Sequence, residues 1–134
     1  MPFATTIENS ILDHFTGKQN WTAPAAIYVG FSSQTPDKGG GNVSEPTGGA
    51  YARVQFTAAN FITAAGGATY NNTDKTWTAA TADWLIGANL THAVFYTAST
   101  AGTFLGFSAL TTPRSVLNTE TAKILVGELD LLFS

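Results

Sequence analysis

In several stretches of this chain apolar side chains fall at every second position, the period of a strand with one face buried. The clearest stretch is 21–33, WTAPAAIYVGFSS. Pro24 biases Ala23 towards extended backbone and keeps a helix from running in. Ile27, Val29 and Phe31 then point one way and Ala26, Tyr28 and Gly30 the other, which predicts a strand over 26–33 covered on both sides. Residues 50–57 repeat the pattern, with Ala52, Val54 and Phe56 opposite Tyr51, Arg53 and Gln55. So do residues 90–97, where Leu90, His92, Val94 and Tyr96 oppose Ala93 and Phe95. A tight tip at 98–102 and a strand over 103–110 make 90–110 a β-hairpin, ended by Pro113. A second hairpin is predicted from 68–71 and 75–79 around 72–74, anchored by Tyr70 and Trp77. A short strand at Val116, a turn at 118–120 and strands at 122–126 and 128–133 close the chain, with Leu129, Leu131 and Phe133 on one side.

One segment changes period. Ile7, Ile11, Leu12 and Phe15 recur at helical spacing, which predicts a helix over 6–16. Thr5 is placed to be its N-cap, with Glu8 as the capping-box partner, and Gly17 to stop it. A helix of three turns is marginal alone, so its apolar face must dock on the β core or on a neighbouring copy. Between the first two strands lies 34–49, QTPDKGGGNVSEPTGG, a long aperiodic surface loop. These elements predict one domain over 1–134: an all-β, antiparallel β-sandwich, jelly-roll-like, with one short N-terminal α-helix.

Composition narrows the function. Charged residues are 11% of the chain and the net charge is -3, with six scattered Lys and Arg, which disfavours nucleic-acid binding. No cysteine is present, so disulfides and thiolate chemistry are excluded. The N-terminus lacks the pattern of a signal peptide and no run is long enough to span a membrane, so no membrane partner is expected. Four Asn-x-Ser/Thr triplets, at Asn20, Asn42, Asn71 and Asn89, fit chance in an Asn- and Thr-rich chain. Gly39 to Gly41 lack the Lys-Ser/Thr and helix of a phosphate cradle. His14 stands beside Asp13, but adjacent helical residues point about 100° apart, so no catalytic dyad follows. His92 reads as a packed, hydrogen-bonded histidine. No catalytic residue, metal site or cofactor is expected. Arg53 sits mid-strand, either on an exposed face or against a carboxylate within the subunit or across an interface. Trp21, Trp77 and Trp84, with Tyr28, Tyr51, Tyr70 and Tyr96, either form a stacking platform for sugars or anchor the core, each N–H finding a partner.

Several segments together resemble a family of small bacteriophage virion proteins, known as tail-fibre, minor tail, or head decoration and cement proteins. They are ILDHFTGKQNWTAPAAIYVGFSS, EPTGGAYARVQF, ATYNNTDKTWTAATADW, LTHAVFYTAS with GTFLGFSALTTPRSV, and VGELDLLF. The resemblance implies a non-enzymatic virion component assembled in the host cytoplasm, self-associating as a homotrimer and docking on the major capsid protein or another virion protein. It favours a capsid decoration or cement role, with a tail-fibre or tail-appendage role in host-glycan attachment as the alternative. The contact candidates are the N-terminal Met1, Pro2, Phe3 and Ala4. To these the 34–49 loop adds Asp37, Lys38, Gly39, Gly40, Gly41, Asn42 and Val43, and the second strand adds Arg53.

Overall fold

The computed structural model describes residues 1–132, and the Phe133 position of the last predicted strand lies outside them. Helix α1 spans Thr5–Phe15. The strands are β1 Ile27–Ser32, β2 Val54–Phe56, β3 Ala68–Tyr70, β4 Lys75–Thr76, β5 Leu90–Tyr96, β6 Phe104–Arg114, β7 Lys123–Ile124 and β8 Asp130–Leu132. The chain is thus mostly β and antiparallel, with a single α-helix at its N-terminal end, as the periodicity predicts. One four-stranded sheet has the order β2-β1-β5-β6, and two-stranded ribbons β3-β8 and β4-β7 stand where a second continuous sheet was expected.

β1 is a central strand, paired with β2 on one edge and with β5 on the other. Val29 opposes Val54 and Phe95, and Phe31 opposes Ala93. Cross-strand partners share a face, so these residues and Phe56 form one apolar side. The rings of Trp77 and Trp84 cover it, 4.8 and 6.4 Å from Phe31. The other side pairs Gly30 with Val94 and Tyr28 with Tyr96. It carries Phe104 and Phe107, which stack 6.3 Å apart. A Cβ on Gly30 would strike Tyr51 and crowd Arg53, so glycine is what lets those side chains lie flat on the sheet.

Three local expectations fail, two of them for identifiable reasons. Residues 68–70 and 75–76 are strands, but they pair with β8 and β7 rather than with each other. Asn71 decides this: it is fully buried, its amide donates to the carbonyls of Thr73 and Leu125, and its Oδ1 accepts the N–H of Leu129. Pro113 does not end β6, which runs on to Arg114. β6 is the last strand of the sheet, and on an edge strand proline is tolerated where its nitrogen faces away from the neighbour. Val116 is buried without being in a strand.

The helix start also differs. Its N-cap is Ala4, with no side-chain cap, because tertiary contacts already hold the first donors: Ala4 N–H on Leu105 O at 2.9 Å and Thr5 N–H on Lys38 O at 3.0 Å. Glu8 turns instead to Lys38. The helix stops as predicted, with Gly17 at φ 75° and its N–H on His14 O, while Lys18 N–H reaches Asp13 O.

Two turns of one build, eight residues apart, close the C-terminal segment. In 117–120 and 125–128 the Leu N–H bonds the carboxylate of the Glu three residues on, at 2.8 and 2.7 Å. The third residue is left-handed in both, Thr119 at φ 72° and Gly127 at φ 79°. A distant aspartate accepts the N–H of each second residue, Asp83 from Asn118 and Asp74 from Val126.

Candidate docking surface

The structure brings two predicted contact segments together. Met1–Ala4 runs along the start of β6: Phe3 bridges Gly106, and Phe107 N–H donates to Pro2 O at 3.2 Å. The 37–41 part of the long loop lies beside it. Asp37 shapes that turn, accepting the N–H groups of Gly39 and Gly41 at 2.8 and 2.9 Å. Gly40, at φ 86°, presses its backbone against Phe104. Ala4 is buried and Val43 packs against the core, so neither offers a side chain to a partner. Asn42 is exposed in a left-handed conformation.

Arg53 lies apart from that strip. It does find a carboxylate within the subunit: Nε donates to Glu45 at 2.9 Å. One terminal nitrogen donates to the carbonyls of Ala98 and Ala101, and the guanidinium stacks 3.5 Å from the Tyr96 ring centre. Its charge is thus neutralised, hydrogen-bonded and packed. Tyr51 belongs to the same clamp. Its hydroxyl accepts the N–H of Phe31 at 2.9 Å, and burial, then the charge of Glu45, push its pKa well above the usual phenol value. Burial likewise raises that of Tyr96. These groups tie the 34–49 loop and the 98–101 turn to the sheet.

Beside the N-terminal strip is an open groove of about 510 Å³, lined by Met1, Pro2, Phe3, Glu8, Ile11, Leu12 and Leu132. Helix α1 turns Ile7 into the core and leaves Leu12 60% and Phe15 86% exposed. The four apolar helix positions therefore split: only part of that face docks within the chain.

The remaining candidates resolve one by one. Trp77 and Trp84 are core anchors, not a platform. Trp84 donates to Gly49 O at 3.0 Å, whereas Trp77 Nε1 has no partner among the described residues, against expectation. Trp21 alone of the three is half-buried. His92 bonds Thr91 Oγ1 at 2.8 Å, and burial lowers its pKa. His14 Nδ1 accepts the N–H of Trp21 at 3.3 Å. Asn71, within one of the Asn-x-Thr triplets, has its amide consumed by the fold. Among the described residues no His, Asp and Glu cluster could hold a metal, and no helix is long and apolar enough to cross a membrane.

A family model described as podophage GP4 fiber I protein gp80 matches residues 2–132. No protein of curated function is similar enough to count as a match. The family match takes in the N-terminal strip, the long loop, the clamp and both C-terminal turns, and it agrees with the resemblance read from the sequence. The chain belongs to the family of the podophage GP4 fiber I protein gp80, and is a phage structural protein.

Proposed function

We propose that this chain is a non-enzymatic fibre subunit of the phage particle, assembled in the host cytoplasm, and that it acts as a homotrimer. The family match over residues 2–132 carries the fibre reading. The exposed half of helix α1 supports self-association. Leu12 and Phe15 are one turn apart and stand next to an apolar groove. A ring and a groove on the same chain suit a head-to-tail contact, which closes into a ring of copies when the rotation allows. A contiguous apolar patch of this kind is where soluble subunits dock.

Sedimentation of the purified chain tests this. A trimer is expected, falling to monomer in Phe15→Ser with its thermal midpoint measured alongside. A monomeric parent chain removes self-association, and an unchanged trimer in Phe15→Ser removes this face from it. Capsid decoration, with docking on the major capsid protein, is the alternative location. Copy number per particle separates the two: hundreds favour the head, and a few to a few dozen favour a fibre.

A further inference from the structure

The two ends of the β5–β6 hairpin present surfaces of complementary chemistry. At one end is the 84–89 loop, which runs into Leu90, the first residue of β5. Ile86 stands on it 93% exposed, more than any other large apolar side chain among the described residues. The base of the loop is anchored. Trp84 is buried, with its backbone N–H on Val116 O at 2.9 Å and its indole on Gly49 O at 3.0 Å. Residues 84–91 carry no ionisable side chain, and the carboxylate of the preceding Asp83 is turned to the N–H of Asn118. The backbone N–H and C=O groups of 86–89 make no hydrogen bond among the described residues. At the other end of the hairpin a groove of about 280 Å³ lies between helix α1 and the 97–103 turn. Its floor is Ile7, Trp21, Pro24 and Leu105, and its rim carries the hydroxyls of Thr22 and Thr103. No ionisable side chain lines it.

We propose that copies of this chain stack end to end, with Ile86 of one copy seated in the groove of the next. The knob and its socket cannot meet within one chain, because the seven extended residues of β5 hold them about 20 Å apart. They meet only between copies, in a head-to-tail contact that extends as an open row when no rotation closes it. Seating Ile86 takes an exposed aliphatic side chain out of water and onto an apolar floor. The free backbone groups of 86–89 then face threonine hydroxyls, each of which offers one donor and two acceptor sites. Neither surface has a charge to strip of water, which is the cost that opposes most polar contacts. A second copy therefore fits where a charged partner would find no counter-charge. The contact uses neither Phe15 nor the larger groove, so it stands or falls separately from the homotrimer.

Sedimentation of the full chain over a range of concentrations, with backbone-amide NMR, tests the contact. Species larger than the closed oligomer should grow with concentration, and the amides of 84–88, 21–22 and 103 should shift as they do. Ile86→Asp should weaken this growth by about tenfold or more, since a carboxylate would lose its water in the groove. Its thermal midpoint should not change, because the side chain is exposed in the single chain. Ile86→Val should keep most of the growth. Thr22→Lys should also block it, and mixing that variant with Ile86→Asp should restore it by pairing the two new charges. Phe15→Ser should lose the trimer and still form rows. A trimer that grows no further at NMR concentrations overturns the stack and leaves the trimer standing. Growth that Ile86→Asp leaves intact, or a mixture that associates no better than its two components, also overturns the stack.

Discussion

The two ends of the 34–49 loop are held by ion pairs of opposite character. At Glu45 the pair with Arg53 is nearly dry, with side chains 19% and 10% exposed, and it is backed by two carbonyls and an aromatic face. At Lys38 the pair with Glu8 is 47% and 39% exposed, with water free to compete. A dry pair is costly to break because the survivor is a buried, uncompensated charge. A wet pair loses little, since water and salt already screen it. One end of the loop is therefore locked to the sheet, and the other rests on the helix, where a partner could reach it. At the wet end Gly40 lies against Phe104, so close backbone packing stands there in place of a dry ion pair.

Four changes sharpen the contrast, in order of size. Arg53→Ala should destabilise the chain by about 2–4 kcal/mol in urea unfolding, because Glu45, only 19% exposed, is left without its partner. The double change Arg53→Met with Glu45→Gln should recover much of that loss, and failure to recover would mean the pair's charge is not what matters. Gly40→Ala should cost about 1–2 kcal/mol, from the left-handed backbone alone, with crowding of Phe104 added. A neutral result there would show that the wet end has no fixed conformation. Lys38→Ala should cost under about 1 kcal/mol and the loss should vanish in high salt; a salt-independent loss would move this pair into the locked class.

The smallest effect concerns a third pair, Asp74 with Lys123, which is also exposed. The N–H of Val126, and then Lys123, hold the Asp74 carboxyl below its usual pKa. Its contribution to stability is therefore complete above the ordinary carboxylate value and is lost as pH falls through the lowered one. Asp74→Asn should flatten that part of the acid limb in thermal midpoints measured against pH, and an unchanged limb would show that the interaction does not differ between folded and unfolded chains.

The strands with long alternating runs were legible. Alternation in 26–33 and 90–110 predicts β1, β5 and β6, because the period acts within each strand whatever its partner. The 68–79 hairpin was misread for the opposite reason. Its strands are three and two residues long, too short to encode a partner, and the buried amide of Asn71 recruits 125–129 instead. The docking surface was half legible. Met1, Pro2 and Phe3 stood among the contact candidates, but Ile11, Leu12 and Leu132 come from elements that only packing brings beside them.

By itself, the order of residues determined an antiparallel β chain with one N-terminal helix, a glycine stop at Gly17, and no cysteine chemistry. Period and local backbone preference suffice for these, since each acts within a few residues. Tertiary structure alone decided that Arg53 would be neutralised by Glu45, that Ala4 rather than Thr5 would begin the helix, and that Phe15 would be left in water while Trp77 and Trp84 were not. Those outcomes depend on which distant surface takes up each side chain, and long-range desolvation carries no local signature in the chain.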